Sequence, residues 1–585
     1  MEFTVIVGNT RVVMNRFRIS RGLTGILLIG LTACSGTGTS SEPGGAVSPS
    51  RVTSTRQHLG ATTPRSQPTP RDENPGTDSP SPSPPKKTTA TDGGGEEGRH
   101  QQTGWGPTER EWRAAQRAAA GMSNRALAGQ VIVARYTGTA APRAFVARYH
   151  LGGVIVMADN VASVEAVTQS NAELQRGRDR SWPLVLAVDQ EGGTVARLEA
   201  PMTDFPTFMS QGAAGREALA RRVAAASGQE LRAAGFTMVF APDADVTIGP
   251  TDPTIGSRSA GDDAQHVAGL VSAATAGYVS AGIVPVIKHF PGHGSVTSNS
   301  HETLPVQSAT LDRLRRRDFV PFQTAIASGA PAVMVGHLAL EQVDPGVPAD
   351  LSGEDVDLLS SEFGFGGLVV TDALEMAAVT DSYSADNAAV TALNAGVDLI
   401  LMPKDTAAAY RGILQALHDG SLSRSRLEDA AAKIIALMMH QGARRPVSSE
   451  VIGSHETLSR RLSTAAAAVV LGPCRGPYVG PTVTPVGDPI DVGRFTEAAR
   501  RAGLTIGGGD TVALLGYGVQ AQSADVVVSL DTPYVLGSST ASTAKIALFG
   551  SGPAAMRALA AVLTGATVAH GRLPVAVSGV DPPNC

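Results

Sequence analysis

The sequence predicts an α/β protein: a (β/α)8 TIM-like barrel followed by a smaller α/β sandwich domain. Two observations carry this. Eight short apolar runs alternate with Ala-rich stretches of helical spacing between Ala126 and Met439, and eight β-then-helix units are what a closed parallel barrel needs. Charged and imidazole side chains follow those runs repeatedly, as expected where strand ends build an active site. An open doubly wound sheet is the alternative arrangement of the same βαβ units.

The chain opens on a targeting signature. Arg16, Arg18 and Arg21 precede the apolar run Leu23 to Leu31, which ends in Thr32-Ala33-Cys34. A positive patch, a short apolar core and small residues make a secretory signal, and the run is too short to span a bilayer as a mature helix. Residues 1–13 add apolar sequence before the arginines, as expected if translation starts at Met14. Residues 1–33 are therefore read as a signal peptide and 34–107 as a tether. The tether is Ser, Thr, Pro and Gly with scattered charge, typified by Ser79-Pro80-Ser81-Pro82 and Gly93-Gly94-Gly95. Such a composition buries too little apolar surface to offset its ordering entropy.

Residues 108–444 hold the barrel. Its strands are expected at Val131–Ala134, Val154–Met157, Leu184–Val188, Met238–Ala241, Ile283–Ile287, Ala332–Val335, Leu368–Val370 and Leu399–Met402. Helices are expected at Ser163–Leu174, Arg216–Ala234, Asp263–Ala281 and Leu311–Ser328. Asp189 follows the third run, Asp243 and Asp245 the fourth, Lys288 and His289 the fifth, His337 the sixth and Asp372 the seventh. The densest stretch is the fifth. There an apolar strand turns into a loop carrying Lys288, His289, His293 and His301.

Residues 445–585 form the second α/β domain. Strands are expected at Ala467–Leu471, Val512–Leu515, Val526–Leu530 and Ile546–Phe549, and helices at Arg494–Ala502 and Pro553–Leu563. Gly516-Tyr517-Gly518 lacks the third glycine of a dinucleotide fingerprint and reads as a turn. The three cysteines are Cys34, Cys474 and Cys585. None forms a CxxC pair, which argues against a cysteine zinc site. Cys474 and Cys585 bracket the second domain as a possible disulfide, in keeping with an exported chain. The formal net charge of −5 argues against nucleic acid as a partner.

Four motifs occur in order: Val188-Asp189-Gln190-Glu191-Gly192-Gly193, Ile255-Gly256-Ser257-Arg258-Ser259, Lys288-His289-Phe290-Pro291-Gly292-His293-Gly294 and Thr371-Asp372-Ala373-Leu374-Glu375-Met376. The set resembles glycoside hydrolase family 3, in its bacterial β-N-acetylglucosaminidase branch of actinobacterial lipoprotein type. The resemblance implies a retaining exo-β-N-acetylglucosaminidase acting on peptidoglycan-derived, GlcNAc-containing saccharides, with no cofactor and no metal. Asp372 matches the nucleophile; its plain alternative is a helix N-cap over Ala373 to Val379. Asp189, Arg258, Lys288 and His289 match sugar-binding positions, with a buried Asp189–Arg258 ion pair as the structural alternative. Glu191 and Arg197 support them from behind, and His293 shapes the loop. His301 matches the acid/base histidine. That branch pairs this histidine with an aspartate; here the position is Asn299, so a weaker acid/base is expected, with the adjacent Glu302 as a partial substitute.

Leu31-Thr32-Ala33-Cys34 also resembles a lipobox. That implies lipidation at Cys34, a membrane anchor and a location on the outer face of the cell membrane or in the wall. A monomer is expected. Three other functions remain open on the residues alone. One is a metal-dependent hydrolase using Asp189, His289, His293, His301 and His337, although no HxH or HExxH spacing occurs. Another is a wall-binding lipoprotein with little turnover. The third is a phosphorylase, since a neutral histidine tolerates an anionic acceptor.

Overall fold

The structure is a computed structural model that describes residues 3–7, 10–14, 104–177 and 180–580. The expected signal peptide beyond Met14, Cys34, nearly all of the tether and Cys585 lie outside the described residues. The N-terminal unit, taken by itself, contributes an antiparallel hairpin of Phe3–Val7 with Thr10–Met14. No described helix is long and apolar enough to cross a membrane.

Eight parallel strands form the barrel. They are β1 (Ile132–Ala134), β2 (Gly153–Val156), β3 (Val185–Val188), β4 (Met238–Val239), β5 (Val284–Phe290), β6 (Ala332–Val335), β7 (Leu368–Thr371) and β8 (Ile400–Leu401). Each pairs with its neighbours in chain order and β8 pairs back with β1. A parallel bridge between Val370 and Leu399 joins β7 to the β8 side and completes the ring. Every strand is buried along its length. That explains the continuous Val, Ile and Leu runs in place of an alternating pattern, because helices cover the outside and side chains fill the inside. Ser163 and Asp263 cap the helices Val164–Arg176 and Ala264–Ala281 through their side chains, as short polar residues do at helix starts.

Most strand and helix ends shift by a residue or two, and two differences bear on the site or on the helix count. Strand β5 does not stop at Ile287. It runs through Lys288 and His289 to Phe290, because Lys288 bridges to Asp243 on one side and Phe290 pairs with Val335 on the other. Those two side chains therefore stand on the barrel wall and not on a loop. The expected helix Leu311–Ser328 is two helices, Leu311–Arg316 and Phe319–Ala327. Pro321 has no N–H for the Arg317 carbonyl, which accepts the Val320 N–H at 3.3 Å, while the Arg317 guanidinium donates to Asp318 and to the Thr247 carbonyl, both at 2.8 Å.

The second domain is a six-stranded sheet. Its strands are β9 (Ala468–Leu471), β10 (Thr482–Gly487), β11 (Thr505–Ile506), β12 (Asp510–Leu515), β13 (Ser523–Ser529) and β14 (Thr540–Ala547), in spatial order β9-β14-β13-β12-β10-β11. All neighbours are parallel except β9 with β14. Strands β10 and β11 carry no clear apolar signal; Pro485 and Gly487 interrupt the first, and the second is two residues long. The helix expected from Arg494 starts earlier, at Pro489, where Asp488 caps it and proline suits the first turn. Strand β14 ends at Ala547, short of the expected Phe549. Cys474 is disulfide-bonded.

Candidate active site

The site lies at the carboxyl ends of the barrel strands, where Asp, Lys, His and Glu close β5 or follow β3, β4, β6 and β7. The two sides of this rim are built by different electrostatics.

On one side is a charged lattice. Lys288, only 2% exposed, sends its ammonium to Asp189 at 2.9 Å and to Glu191 at 2.6 Å. Glu191 also receives two parallel bonds from the Arg258 guanidinium, both 2.9 Å. Burial opposes ionisation of Glu191, but the charges of Arg258 and Lys288 outweigh it and hold its carboxyl below the usual range. Burial likewise works against Lys288, and Asp189 and Glu191 more than offset it, so the ammonium is held above its ordinary value. Glu191, expected to stand behind the site, is the hub on which both cations converge. Arg258 pairs with Glu191, not with Asp189. Arg197 lies 3.8 Å from Asp189.

His289 is fixed at both ring nitrogens. Its Nδ1 lies 2.7 Å from an Asp245 oxygen, and its Nε2 lies 3.2 Å from the Arg258 Nη2. A guanidinium only donates, so Nε2 accepts and Nδ1 carries the proton to Asp245. Asp245 is the second organiser. It also takes the backbone N–H of His289 at 3.2 Å and of His293 at 2.5 Å. Burial raises its carboxyl pKa, and His289 reverses this to leave it lowered. The neighbouring Asp243 goes the other way: burial, then the Asp245 charge, hold its carboxyl well above the usual range. Asp243, Asp245 and His289 bring ligand atoms within 4.8 Å of one another, a grouping that could hold a metal ion. The Arg258 guanidinium, 3.6 Å from Asp243, supplies positive charge at the same place.

Across the rim, Asp372 follows β7. Its backbone N–H donates to the Val335 carbonyl, and its Oδ1 accepts the Ala373 N–H at 2.7 Å. The helix beyond it spans only Ala377–Thr380, with Met376 as its cap residue, so Asp372 is not a helix cap. Burial opposes ionisation of Asp372, yet the charge of His337 above all, with the Ala373 bond, brings its pKa down to about 2. His337 is fully buried. Its Nδ1 lies 3.0 Å from Asp350 and its Nε2 lies 2.9 Å from the Ala373 carbonyl. Both neighbours accept, so both ring nitrogens carry protons. Burial disfavours that cation, but Asp350 overrides it and raises the His337 pKa to about 9. Asp350 was invisible as a site residue in the sequence. It sits in a 3-10 turn, Ala349–Leu351, with no apolar run before it.

The loop after β5 divides. His293 is buried, bonded through Nε2 to Ser300 at 2.9 Å, and burial lowers its pKa to about 4. It ties the loop to the barrel. His301 is exposed. Its Nδ1 lies 3.1 Å from the Asn299 Oδ1, which also takes the His301 backbone N–H at 3.0 Å. The Asn299 Nδ2 donates to Glu302 at 3.2 Å, so Glu302 supports Asn299 and does not replace it. Partial burial lowers the His301 pKa, and the Asp372 charge works in the opposite direction.

The family model described as "Glycosyl hydrolase family 3 N terminal domain" matches residues 126–437. Beta-hexosaminidase LpqI of Mycobacterium tuberculosis is 33% identical over 325 residues, covering 54% of this chain and 83% of that protein. Beta-hexosaminidase A of Pseudoalteromonas piscicida is 32% identical over 355 residues; the match covers 55% of this chain and spans 59% of the length of that relative. A solved family 3 β-N-acetylglucosaminidase from Paenibacillus sp. superposes with a TM-score of 0.71 at 29% identity, over 78% of this chain and 99% of that one.

Proposed function

The chain belongs to glycosyl hydrolase family 3, and on that premise we propose that it is a retaining exo-β-N-acetylglucosaminidase. It removes terminal non-reducing GlcNAc from peptidoglycan-derived fragments, works without a metal or organic cofactor, and acts outside the cell from a lipid anchor at Cys34. The observation that carries the reading is Asp372, half-buried just past the carboxyl end of β7 and kept ionised chiefly by the charge of His337.

The chemistry follows from which atoms are free. Asp372 Oδ1 is engaged by the Ala373 N–H, which leaves Oδ2 to attack the anomeric carbon. As that C–O bond forms, the glycosidic C–O bond breaks and its electron pair stays on the leaving oxygen. His301 Nδ1 is engaged by Asn299, so Nε2 delivers the proton to that oxygen. In the second half, Nε2 takes a proton from water, the resulting hydroxide attacks the same carbon, and the ester to Asp372 breaks. Two displacements give net retention. Asp189, Arg258 and Lys288 hold the sugar hydroxyls through charge-assisted bonds, which are short and directional, and His289, engaged at both ring nitrogens, lines the same subsite. The test is to trap the glycosyl-enzyme with a 2-acetamido fluorosugar and map the adduct. The label is expected on Asp372; a label on any other residue overturns the mechanism.

A further inference from the structure

We propose that Asp531, a residue of the second domain, is a positioning residue for this reaction, fixing the turn that presents Arg258. The proposal rests on the glycosidase reading above. Arg258 ends a 3-10 turn, Gly256–Arg258, in the long segment between β4 and the helix Ala264–Ala281. The first part of that segment holds itself. Asp252 accepts the Thr247 hydroxyl at 2.9 Å and the backbone N–H groups of Thr254, Ile255 and Gly256 at 2.9–3.3 Å. That internal cradle stops one residue short of Ser257.

From Ser257 onward the second domain shares the load with the barrel, where the Ser259 hydroxyl donates to the Asp245 carbonyl at 2.7 Å. The buried Ser257 hydroxyl donates to the Asp531 carboxylate at 2.5 Å, a contact spanning 274 residues of sequence. Asp531 lies just beyond the carboxyl end of β13 and is 6% exposed. The Thr532 methyl lies 3.6 Å from where a Cβ on Gly256 would stand. On the far side of Arg258, the Asp262 carboxylate accepts the Ala576 N–H at 2.9 Å, and the Asp262 N–H donates to the Pro574 carbonyl at 3.1 Å. The segment is thus gripped by the second domain on both sides of Arg258. What it presents is demanding. The guanidinium must meet both Glu191 oxygens at 2.9 Å and His289 at 3.2 Å together. A slip of about 1 Å in the supporting turn is enough to lose such a fork-to-carboxylate fit. The second domain therefore supports the sugar-binding lattice through the turn that carries Arg258.

The test uses the full chain with Asp531→Ala, Asp531→Asn, Ser257→Ala and the Asp531→Ala/Ser257→Ala pair. It reads kcat and KM on an aryl N-acetyl-β-glucosaminide and hydrogen exchange in residues 255–261. Loss of a buried bond to a carboxylate is expected to raise KM roughly tenfold in Asp531→Ala. Ser257→Ala should match it, and the double variant should add little. Asp531→Asn, still an acceptor, should retain most of the wild-type KM. Exchange in 255–261 should quicken in Asp531→Ala while the second-domain strands stay protected. Unchanged KM and exchange in Asp531→Ala overturn the proposal. So does an equal loss in Asp531→Asn and Asp531→Ala with exchange quickened throughout the second domain. Should the wild-type chain turn over no glycoside, the functional reading fails by itself, and the exchange comparison alone decides the positioning.

Discussion

Asn299→Asp restores a charge where the His301 ring has only a dipole. In the structure the Asn299 Oδ1 stands 3.1 Å from His301 Nδ1. Two unit charges about 4 Å apart attract by roughly 1 kcal/mol in water and about 4 kcal/mol at an effective dielectric of 20. His301 is exposed and Asn299 half-buried, so screening keeps the gain near the lower figure. About 1.4 kcal/mol corresponds to one pKa unit. The sign is upward: a carboxylate favours the imidazolium, which is the form that acts as the acid. The free-enzyme acid is read by the basic limb of kcat/KM against pH, so that limb should move up by about one unit. At a pH above both limbs, kcat/KM should rise by up to about tenfold. Glu302 complicates the variant, because Asn299 Nδ2 now donates to it at 3.2 Å and an aspartate would repel it. Initial rates on an aryl N-acetyl-β-glucosaminide across pH should therefore be measured for Asn299→Asp with and without Glu302→Gln. A basic limb that stays in place in both variants refutes the Asn299–His301 pairing as the proton-transfer unit.

On the proposed mechanism, removing the buried His337 cation near Asp372 should act on the opposite limb. In His337→Gln with Asp350→Asn, which avoids leaving Asp350 buried and unpaired, the Asp372 pKa should rise from about 2. The acid limb of kcat/KM should climb with it by about one unit or more. The same pair contributes to stability with a defined sign. The folded-state pKa of His337 is raised from 6.5 to about 9, so its contribution is complete below 6.5 and is lost as pH rises through about 9. Thermal scans should show a fall in Tm over that window in the wild type and a smaller one in the double variant. Glu191→Gln leaves Lys288 and Arg258 buried with less countercharge. Urea unfolding should show a loss of about 3–5 kcal/mol, as when one partner of a buried ion pair is removed, and KM should rise.

Much of this protein was readable before folding. Eight apolar runs map onto eight buried strands because burial on both faces leaves little room for polar residues between them. The chain positions that end those runs became the rim, since a parallel barrel places every carboxyl end on one face. Asp372, Lys288, His289 and Asp189 were visible for that reason, each one or two residues past an apolar run. The charge state of the rim was not visible. That Glu191 serves Lys288 and Arg258 together, that Asp243 and Asp245 shift in opposite directions, and that His337 is a cation backed by Asp350 all depend on which groups meet away from water. Coulomb energies there change several-fold over a few ångströms. The strands with Pro485 and with only two residues escaped notice because pairing, not local pattern, makes them. The grip of Asp531 on Ser257 crosses 274 residues. No local periodicity encodes a contact of that span, so local pattern in the sequence determined the barrel and which residues reach its rim, and only the packing of one domain on the other brought Asp531 to the turn that carries Arg258.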